Sequence, residues 1–332
     1  MQRFVTLAAA LVSATLAAGM AFGMPAALAD EEIYGACRES EERIVAAELP
    51  DTVDLDRCPV DGRVITDGGV GSVLPDPGEG VYAEVLTTSG AQDLGIFRYR
   101  DGTVELDHVG DDSEDASPQP ALNTTARRSG ACSDRAYFDG EGRVESTLSW
   151  SFNRSTVPGE LTPDSAEGAI RRAGTNVADT RSNCRLGDRV PVSLSYEGNT
   201  SSQADVLTDS CSSNDAKSEV SFGDLANGYL AVTCNWRGSG LPYKPIEESD
   251  IKINKTDFNW TTRPDARSCS RRFDLEGVMT HERGHTFGLG HVAEDAHGAL
   301  TMSTFINGSC QSSERTLGRG DVRGLGHKYK QF

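Results

Sequence analysis

Hydrophobic and polar residues alternate in short runs along much of the chain, and this pattern predicts β-strands in two separate regions. In the first region, "VYAEVL" at 81–86 is typical of a strand. "IFRYR-DG-TVEL" at 96–106 predicts a hairpin, because Asp101-Gly102 suits a two-residue type I′ turn. A short helix is expected at Glu41–Leu49. Together these elements predict a small β-rich N-terminal module over residues 30–106.

The second region begins near Cys132. "TLSWSF" at 147–152 alternates and predicts a half-buried strand. A helix follows, with Thr162 as its N-cap, Pro163 in its first turn and one apolar stripe formed by Ala166, Ala169, Ile170, Ala173 and Val177. Further strands are predicted at 190–196, 219–222, 228–236 and 250–254, and further helices at 275–289 and 320–328. The mixture of helices and strands predicts an α+β domain over residues 131–332.

Residues 107–130 lack an apolar period. They are acidic at first and then rich in Pro, Ser and Thr, which indicates an exposed linker. Arg127-Arg128 is the point in this linker where processing is expected.

The first 29 residues have the features of a secretory signal peptide. Arg3 precedes an apolar run, and "ALA" at 27–29 fits a cleavage site. No later stretch has the roughly 20 apolar residues that a membrane span needs. The mature protein is therefore expected to be secreted, extracellular and without a membrane span.

Charge narrows the classes of partner. Asp plus Glu exceed Lys plus Arg by 50 − 32 = 18. This excess argues against a nucleic-acid partner and against binding to anionic membranes. A soluble, monomeric protein is the remaining expectation.

Eight cysteines in an exported chain predict disulfides. Cys269 and Cys310 bracket the region of the last long helix and are expected to pair. Proximity favours Cys37–Cys58 and Cys184–Cys211, and elimination leaves Cys132–Cys234.

The candidate chemistry lies in "HERGHTFGLGH" at 281–291, which holds three of the six histidines. His281 and His285 are four residues apart, so on a helix their imidazoles face one point, at a spacing that suits a single Zn²⁺. Glu282 lies beside them, where it could reach a water on the metal. Gly288 permits the sharp stop that returns His291 to the same ion. Three imidazoles leave a fourth position open, as in a catalytic zinc site.

The motif H-E-x-x-H-x-x-G-x-x-H resembles that of the metzincin zinc metallopeptidases, and secreted matrixin-type peptidases are the most similar. "GALTMST" at 298–304 resembles their Met-turn, with Met302 beneath the metal. The resemblance covers most of 132–332. It implies a twisted mixed sheet with an active-site helix and a Met-turn, one catalytic Zn²⁺, and Glu282 as general base. It also implies a protein or peptide substrate, and it implies that "GYLAVTCNW" at 228–236 is the edge strand that binds this substrate.

The chain departs from the family pattern in places. No histidine lies between Cys132 and Thr280, so a second, structural zinc is not expected. Calcium is a further candidate ion, without a loop spacing that identifies its site. Arg283 stands where relatives have an apolar residue, and solvent exposure is its only explanation from the sequence.

Several alternatives stay open at this level. The module could be a removed pro-segment or a permanent domain, and Cys58 in "DRCPVDG" could be a zinc-binding switch or a disulfide partner of Cys37. The cysteine parity favours the disulfide. The protein could be a secreted endopeptidase or an inactive, zinc-stabilised binding protein. A thermolysin-like site with a distant glutamate ligand is disfavoured by His291 after Gly288.

Overall fold

The computed structural model describes residue 37 and residues 42–107, 130–187, 190–238, 245–304, 306 and 308–329. The expected signal peptide and almost all of the expected linker, with Arg127-Arg128, lie outside the described residues. Within the part of the chain that is described, no helix has the length and apolar character to cross a membrane.

Strands dominate the fold from its first described residues. In the N-terminal region they are β1 Arg43–Val45, β2 Thr52–Asp54, β3 Val64–Asp67, β4 Val70–Val73, β5 Gly80–Thr87, β6 Ala91–Arg98 and β7 Thr103–Asp107. After the linker they are β8 Phe138–Asp139, β9 Thr147–Phe152, β10 Ser193–Asn199, β11 Ser210–Cys211, β12 Ser218–Gly223, β13 Tyr229–Arg237, β14 Ile246–Asn254, β15 Trp260–Thr261, β16 Phe273–Asp274 and β17 Leu289–Gly290. The α-helices are α1 Pro163–Ala178, α2 Leu275–Thr286, α3 Glu294–His297 and α4 Arg319–Lys328.

One mixed sheet crosses the whole molecule, with the strand order β10-β9-β12-β14-β13-β5-β6-β7-β2. The four strands β10, β9, β12 and β14 run parallel to one another, and β13 is antiparallel to β14. The remaining four strands come from the N-terminal region. The expected α+β fold with a twisted mixed sheet is confirmed.

Helix α1 has the structure that its sequence predicts. The Thr162 side chain accepts a hydrogen bond from the Ser165 amide, and Pro163 is in the first turn. All five residues of the apolar stripe are fully buried. The four stripe residues before Val177 pack in one core with Trp150, Phe152 and Phe222 of the sheet, and Val177 packs in a second cluster with Phe287 and Leu289.

The N-terminal region shares its core with the rest of the chain. Strand β4 pairs with β11, which lies more than a hundred residues later in the sequence. Val81 and Val85 of β5 pack in one buried cluster with Val232 and Trp236 of β13. The boundary predicted at residues 107–130 therefore separates two stretches of sequence whose strands and apolar residues pack together.

Strand β13 is not the sheet edge that the family resemblance implies. It lies between β14 and β5, and β5 pairs with it antiparallel from Tyr229–Thr87 to Arg237–Gly80. The expectation of a free edge at 228–236 was wrong for this chain, because the N-terminal region covers that edge.

Two local predictions also need correction. The helix expected at Glu41–Leu49 is not formed in its described residues, 42–49: Arg43–Val45 form β1 beside β3, and a 3₁₀ turn follows. Pairing that buries Ile44 outweighs the local helix preference. In the hairpin of β6 and β7, Gly102 has φ +91°, whereas Asp101 is not among the residues with positive φ. A type I′ turn requires positive φ at both, so the turn is of another type.

The structure forms four disulfides, Cys37–Cys58, Cys132–Cys184, Cys211–Cys234 and Cys269–Cys310. Cys37–Cys58 and Cys269–Cys310 are the expected pairs. Cys184–Cys211 and Cys132–Cys234 are not formed. Cys211 lies on β11 of a second, four-stranded sheet with the order β1-β3-β4-β11, and Cys234 lies on β13 of the large sheet. The two meet in the buried cluster between these sheets, a contact that sequence proximity does not show.

Non-reducing peptide mapping should therefore link Cys211 to Cys234 and Cys132 to Cys184. The geometry requirement of a disulfide is strict, since the two Cα atoms must lie within about 7 Å. In the structure these distances are 5.8 Å and 5.1 Å. A peptide that joined Cys184 to Cys211 would contradict the burial of Cys211 beside Cys234.

Candidate metal centre

Helix α2 carries the first two histidines of the motif and lies inside the molecule. Its N-cap Asp274 accepts a hydrogen bond from the Gly277 amide at 3.0 Å and also forms an ion pair with Arg315 at 2.6 Å. Every residue of the helix is buried. His281 and His285 point to one side of it, one turn apart, as their spacing predicts.

Gly288 lies just after the end of α2, where the chain changes direction. Its φ is +85°, in the left-handed region that glycine adopts without strain. The chain then reverses as β17, which pairs with β8 at Leu289–Asp139 and Gly290–Phe138. This reversal brings His291 back towards the two helical histidines.

The three imidazoles converge on one point through their Nε2 atoms. The Nε2 of His281 lies 3.0 Å from the Nε2 of His285 and 3.0 Å from that of His291, and the third distance is 3.2 Å. Each Nδ1 faces a carbonyl or carboxylate oxygen, which can only accept, so each Nδ1 carries the hydrogen. When all three imidazoles are neutral, as metal ligation requires, three Nε2 lone pairs therefore face one another.

This donor set fits a zinc ion. With Zn–N bonds of about 2.0–2.1 Å and tetrahedral angles, ligand nitrogens would lie about 3.3–3.4 Å apart, close to the spacing here. Lone pairs this close repel one another unless a cation binds between them. Three neutral imidazoles leave a fourth position for water, the pattern of catalytic zinc.

The Met-turn contacts both His281 and the helix that carries it. The His281 Nδ1 donates to the Thr301 carbonyl at 2.7 Å. A Cβ at Gly284 would overlap the Met302 sulfur, so the turn packs directly against α2. The buried Asp321 carboxylate of α4 accepts hydrogen bonds from the backbone amides of Thr301, at 2.9 Å, and Met302, at 3.3 Å. Sequence reasoning missed Asp321, since nothing local to it points to this contact.

Two carboxylates of the N-terminal region contact the other two histidines. Glu84 on β5 lies 2.7 Å from the His285 Nδ1, which also contacts the Leu289 carbonyl at 2.8 Å. Asp93 on β6 contacts the His291 Nδ1 with its two oxygens, at 2.9 and 3.0 Å. The sequence contains no signal for these contacts, because almost 200 residues separate the partners.

Glu282 is fully buried beside the histidines. Its Oε2 accepts a hydrogen bond of 2.6 Å from the Thr233 hydroxyl on β13, and its Oε1 has no hydrogen-bond partner among the described residues. In the protein without metal, burial raises the pKa of Glu282 to about 7, while His285 and Thr233 act in the opposite direction. One carboxylate oxygen is thus held in place and the other is free to accept a proton.

Burial also sets the protonation of the histidines in the protein without metal. It lowers the pKa of His281 well below the usual range, and the neighbouring imidazoles lower it further. Burial acts in the same direction on His285, but the carboxylates of Glu84, Glu282 and Asp93 together outweigh it and raise the pKa of His285 to about 9. A bound dication favours the neutral imidazole, because ligation uses the Nε2 lone pair.

Arg283 is not exposed, so the explanation offered from the sequence was wrong. The side chain is fully buried, and its guanidinium lies 4.5 Å from the centroid of the Trp150 ring. Burial lowers the pKa of Arg283 to about 9. A cation–π contact with Trp150 partly offsets the cost of burying this charge.

A second group of carboxylates is formed by Asp205, in the segment before β11, and by Glu248 and Asp250 of β14. Asp250 accepts the backbone amides of Asp205 and Glu219, the latter at 2.6 Å. Those bonds give Asp250 a role in ordering the backbone before β12. Calcium remains an expectation for which no site is identified.

The fold and the converging histidines define a zinc metallopeptidase type of domain, and comparison with known families agrees. The matrixin model, a peptidase family, matches residues 128–330. The chain belongs to the matrixin family of zinc-dependent metallopeptidases. No curated protein matches the chain.

Gly288→Ala should both destabilise the protein and weaken zinc binding. Alanine at this φ costs about 1–2 kcal/mol. Its Cβ would also collide with the Gly142 carbonyl oxygen, which adds about 1–3 kcal/mol. Chemical denaturation and a zinc titration measure the two effects.

Gly308→Ala is the matched control. Gly308 has φ +102°, but a Cβ there meets no atom within 4 Å. The stability of Gly308→Ala should therefore fall only by the cost of placing alanine at a positive φ. Its zinc affinity should equal that of the parent. Equal losses in the two variants would contradict the role given to the close approach at Gly288.

Proposed function

We propose that this chain is a secreted zinc-dependent endopeptidase, with His281, His285 and His291 as the metal ligands and Glu282 as the general base. The convergence of three Nε2 lone pairs beside a buried carboxylate with one free oxygen carries the proposal. A purely structural zinc has no use for such a carboxylate. Four disulfides within the described residues support an oxidising, extracellular location.

The residues divide the work of peptide hydrolysis between them. When bound, Zn²⁺ supplies a water with a pKa lowered towards 7 and polarises the scissile carbonyl. Glu282 accepts the proton of the attacking water at Oε1 and passes it to the leaving amine. The Thr233 hydroxyl holds Oε2, so that Oε1 keeps its direction during both transfers.

The N-terminal region restricts access to this site in the intact chain, because Glu84 and Asp93 contact two of its histidines. His281, Glu282 and His285 are at most 1% exposed. β5 also occupies the edge of β13, where an extended substrate would pair by strand addition. We therefore assign the closed arrangement to a latent form. In the described residues every cysteine is in a disulfide, Cys58 with Cys37, so Cys58 does not supply a thiol to this site.

A zinc-stabilised binding protein is the second candidate function, and the covered edge of β13 favours it. In that case the N-terminal region would stay in place permanently, and no peptide would reach Glu282. The two candidates differ in the activity expected once the chain is cut in the linker.

Glu282→Ala should retain zinc and lose turnover by about 10²–10⁴, since positioned proton transfer supplies that factor. Metal content is measured on the same sample as casein cleavage, after opening of the site. Glu282→Gln serves as the conservative variant, because it keeps an acceptor for the Thr233 hydroxyl and removes the base. Cleavage by either variant at the parent rate would refute the role of Glu282.

Cutting the linker tests latency. A specific protease site is introduced within residues 108–129, and peptide cleavage is measured at saturating zinc before the cut, after the cut, and after a mild denaturant has separated the N-terminal region. We expect activity to appear only at the last stage. Full activity of the uncut chain would show that β5 does not block the substrate. Zinc binding without activity at every stage would favour the binding protein.

A further inference from the structure

A row of three polar side chains crosses the sheet beneath the zinc motif. Thr233 of β13 pairs with Glu84 of β5, and Glu84 pairs with Asp93 of β6. Directly paired residues lie on one face of an antiparallel sheet. Each member of the row contacts one residue of the motif: Thr233 contacts Glu282, Glu84 contacts His285 and Asp93 contacts His291.

The carboxylates of Glu84 and Asp93 are buried, where a charged group loses the free energy of its hydration. Glu84 is 1% exposed and the Asp93 side chain 6%. They face each other across neighbouring strands, a position in which like charges destabilise a sheet. Their ion-pair partners among the described residues are the two histidines, with no lysine or arginine. A fold that needed only packing here would be served as well by apolar residues.

A zinc ion supplies the missing positive charge. Three neutral imidazoles bring no charge to a dication, and this dication would lie in a site closed to solvent. Glu84 and Asp93 together contribute two negative charges through the imidazoles that they hold. The charge of Zn²⁺ is then balanced by Glu84 and Asp93, with Glu282 as the one further ionisable group of the motif beside them, and this balance reduces the cost of burying either charge alone.

Glu84 is itself held in place. Its Oε2 accepts from the Asn235 amide at 3.1 Å, and the same amide group lies 3.2 Å from the His285 carbonyl oxygen. Asn235 therefore ties the carboxylate to the backbone of the helix that carries the ligand. Such a network fixes the orientation of an imidazole ring and increases its basicity.

From this geometry we infer that Glu84 and Asp93 are positioning residues of the zinc centre, so that the N-terminal region completes the metal site of the domain it covers. The inference rests on the proposed zinc site of His281, His285 and His291. It has a thermodynamic consequence: if docking of β5 and β6 strengthens zinc binding, zinc must strengthen their docking by the same factor.

The test is the zinc affinity of the full chain, measured by competition with a chelator. Outer-shell partners of this kind change metal affinity by about 10–100-fold. We expect Glu84→Ala and Asp93→Ala to weaken zinc binding by that factor, and Glu84→Gln and Asp93→Asn by less, because the amide oxygen still accepts from Nδ1. Glu105→Gln is the matched control, as Glu105 is an exposed carboxylate of the same region that bonds Tyr99 at 2.6 Å.

Thermal unfolding with and without zinc separates positioning from simple structural support. Without metal, Glu84→Gln and Asp93→Asn should be close to the parent in stability, because each keeps the side-chain volume and one oxygen acceptor while it removes a buried charge. Glu84→Ala and Asp93→Ala should be less stable, because they delete the hydrogen bonds of the carboxylate and leave a cavity. The increase in Tm on adding zinc should shrink in proportion to the lost affinity. Hydrogen exchange of the β5 and β13 amides should also slow on zinc binding in the parent, and slow less in the variants.

The outcomes are distinguishable. If the parent binds no zinc, the proposed metal site itself fails. If the parent binds zinc and all four variants bind it within twofold of the parent, with the same increase in Tm, Glu84 and Asp93 do not position the ligands and the inference is wrong. A loss of metal-free stability that explains the whole effect would also overturn it.

Discussion

The meeting of three imidazole lone pairs at one buried point is the constraint on which the rest of the structure depends. Such an arrangement is unfavourable by itself, and it persists because every Nδ1 hydrogen is held by an acceptor elsewhere in the fold. The Thr301 carbonyl, Glu84 and Asp93 come from the Met-turn, β5 and β6 respectively. The metal site is therefore built from the whole width of the molecule, although its ligands span eleven residues of sequence.

The sequence alone predicted those parts of the fold that local chemistry determines. The cap at Thr162, the stripe of α1 and the spacing of His281, His285 and His291 are each decided within one or two helical turns. The family resemblance added the Met-turn at Met302. The start of α1 and the bounds of β9 and α4 agree with the predictions to within a residue. The signal peptide and the linker boundary stay predictions.

What the sequence did not reveal depends on pairing between distant strands. No local pattern marks β5 as the neighbour of β13, so the covered edge, the Cys211–Cys234 bond and the roles of Glu84 and Asp93 were all missed. Arg283 was misjudged for the same reason, since the Trp150 ring that covers it lies on another strand. From the sequence alone, Glu84 and Asp93 resemble the acidic residues at ordinary solvent-facing positions of a strand until the sheet order is known.

The same carboxylates explain why β5 lies on β13 in one register. An unpaired edge strand is open to pairing with other chains, and almost any extended segment can cover it through backbone hydrogen bonds. Backbone bonds alone do not choose a register. A slip of one residue would move Glu84 to the opposite face of the sheet, away from His285, and would leave its charge in an apolar layer without a partner. The zinc ligands thus select the register of the strand that covers them, and that strand in turn closes the site.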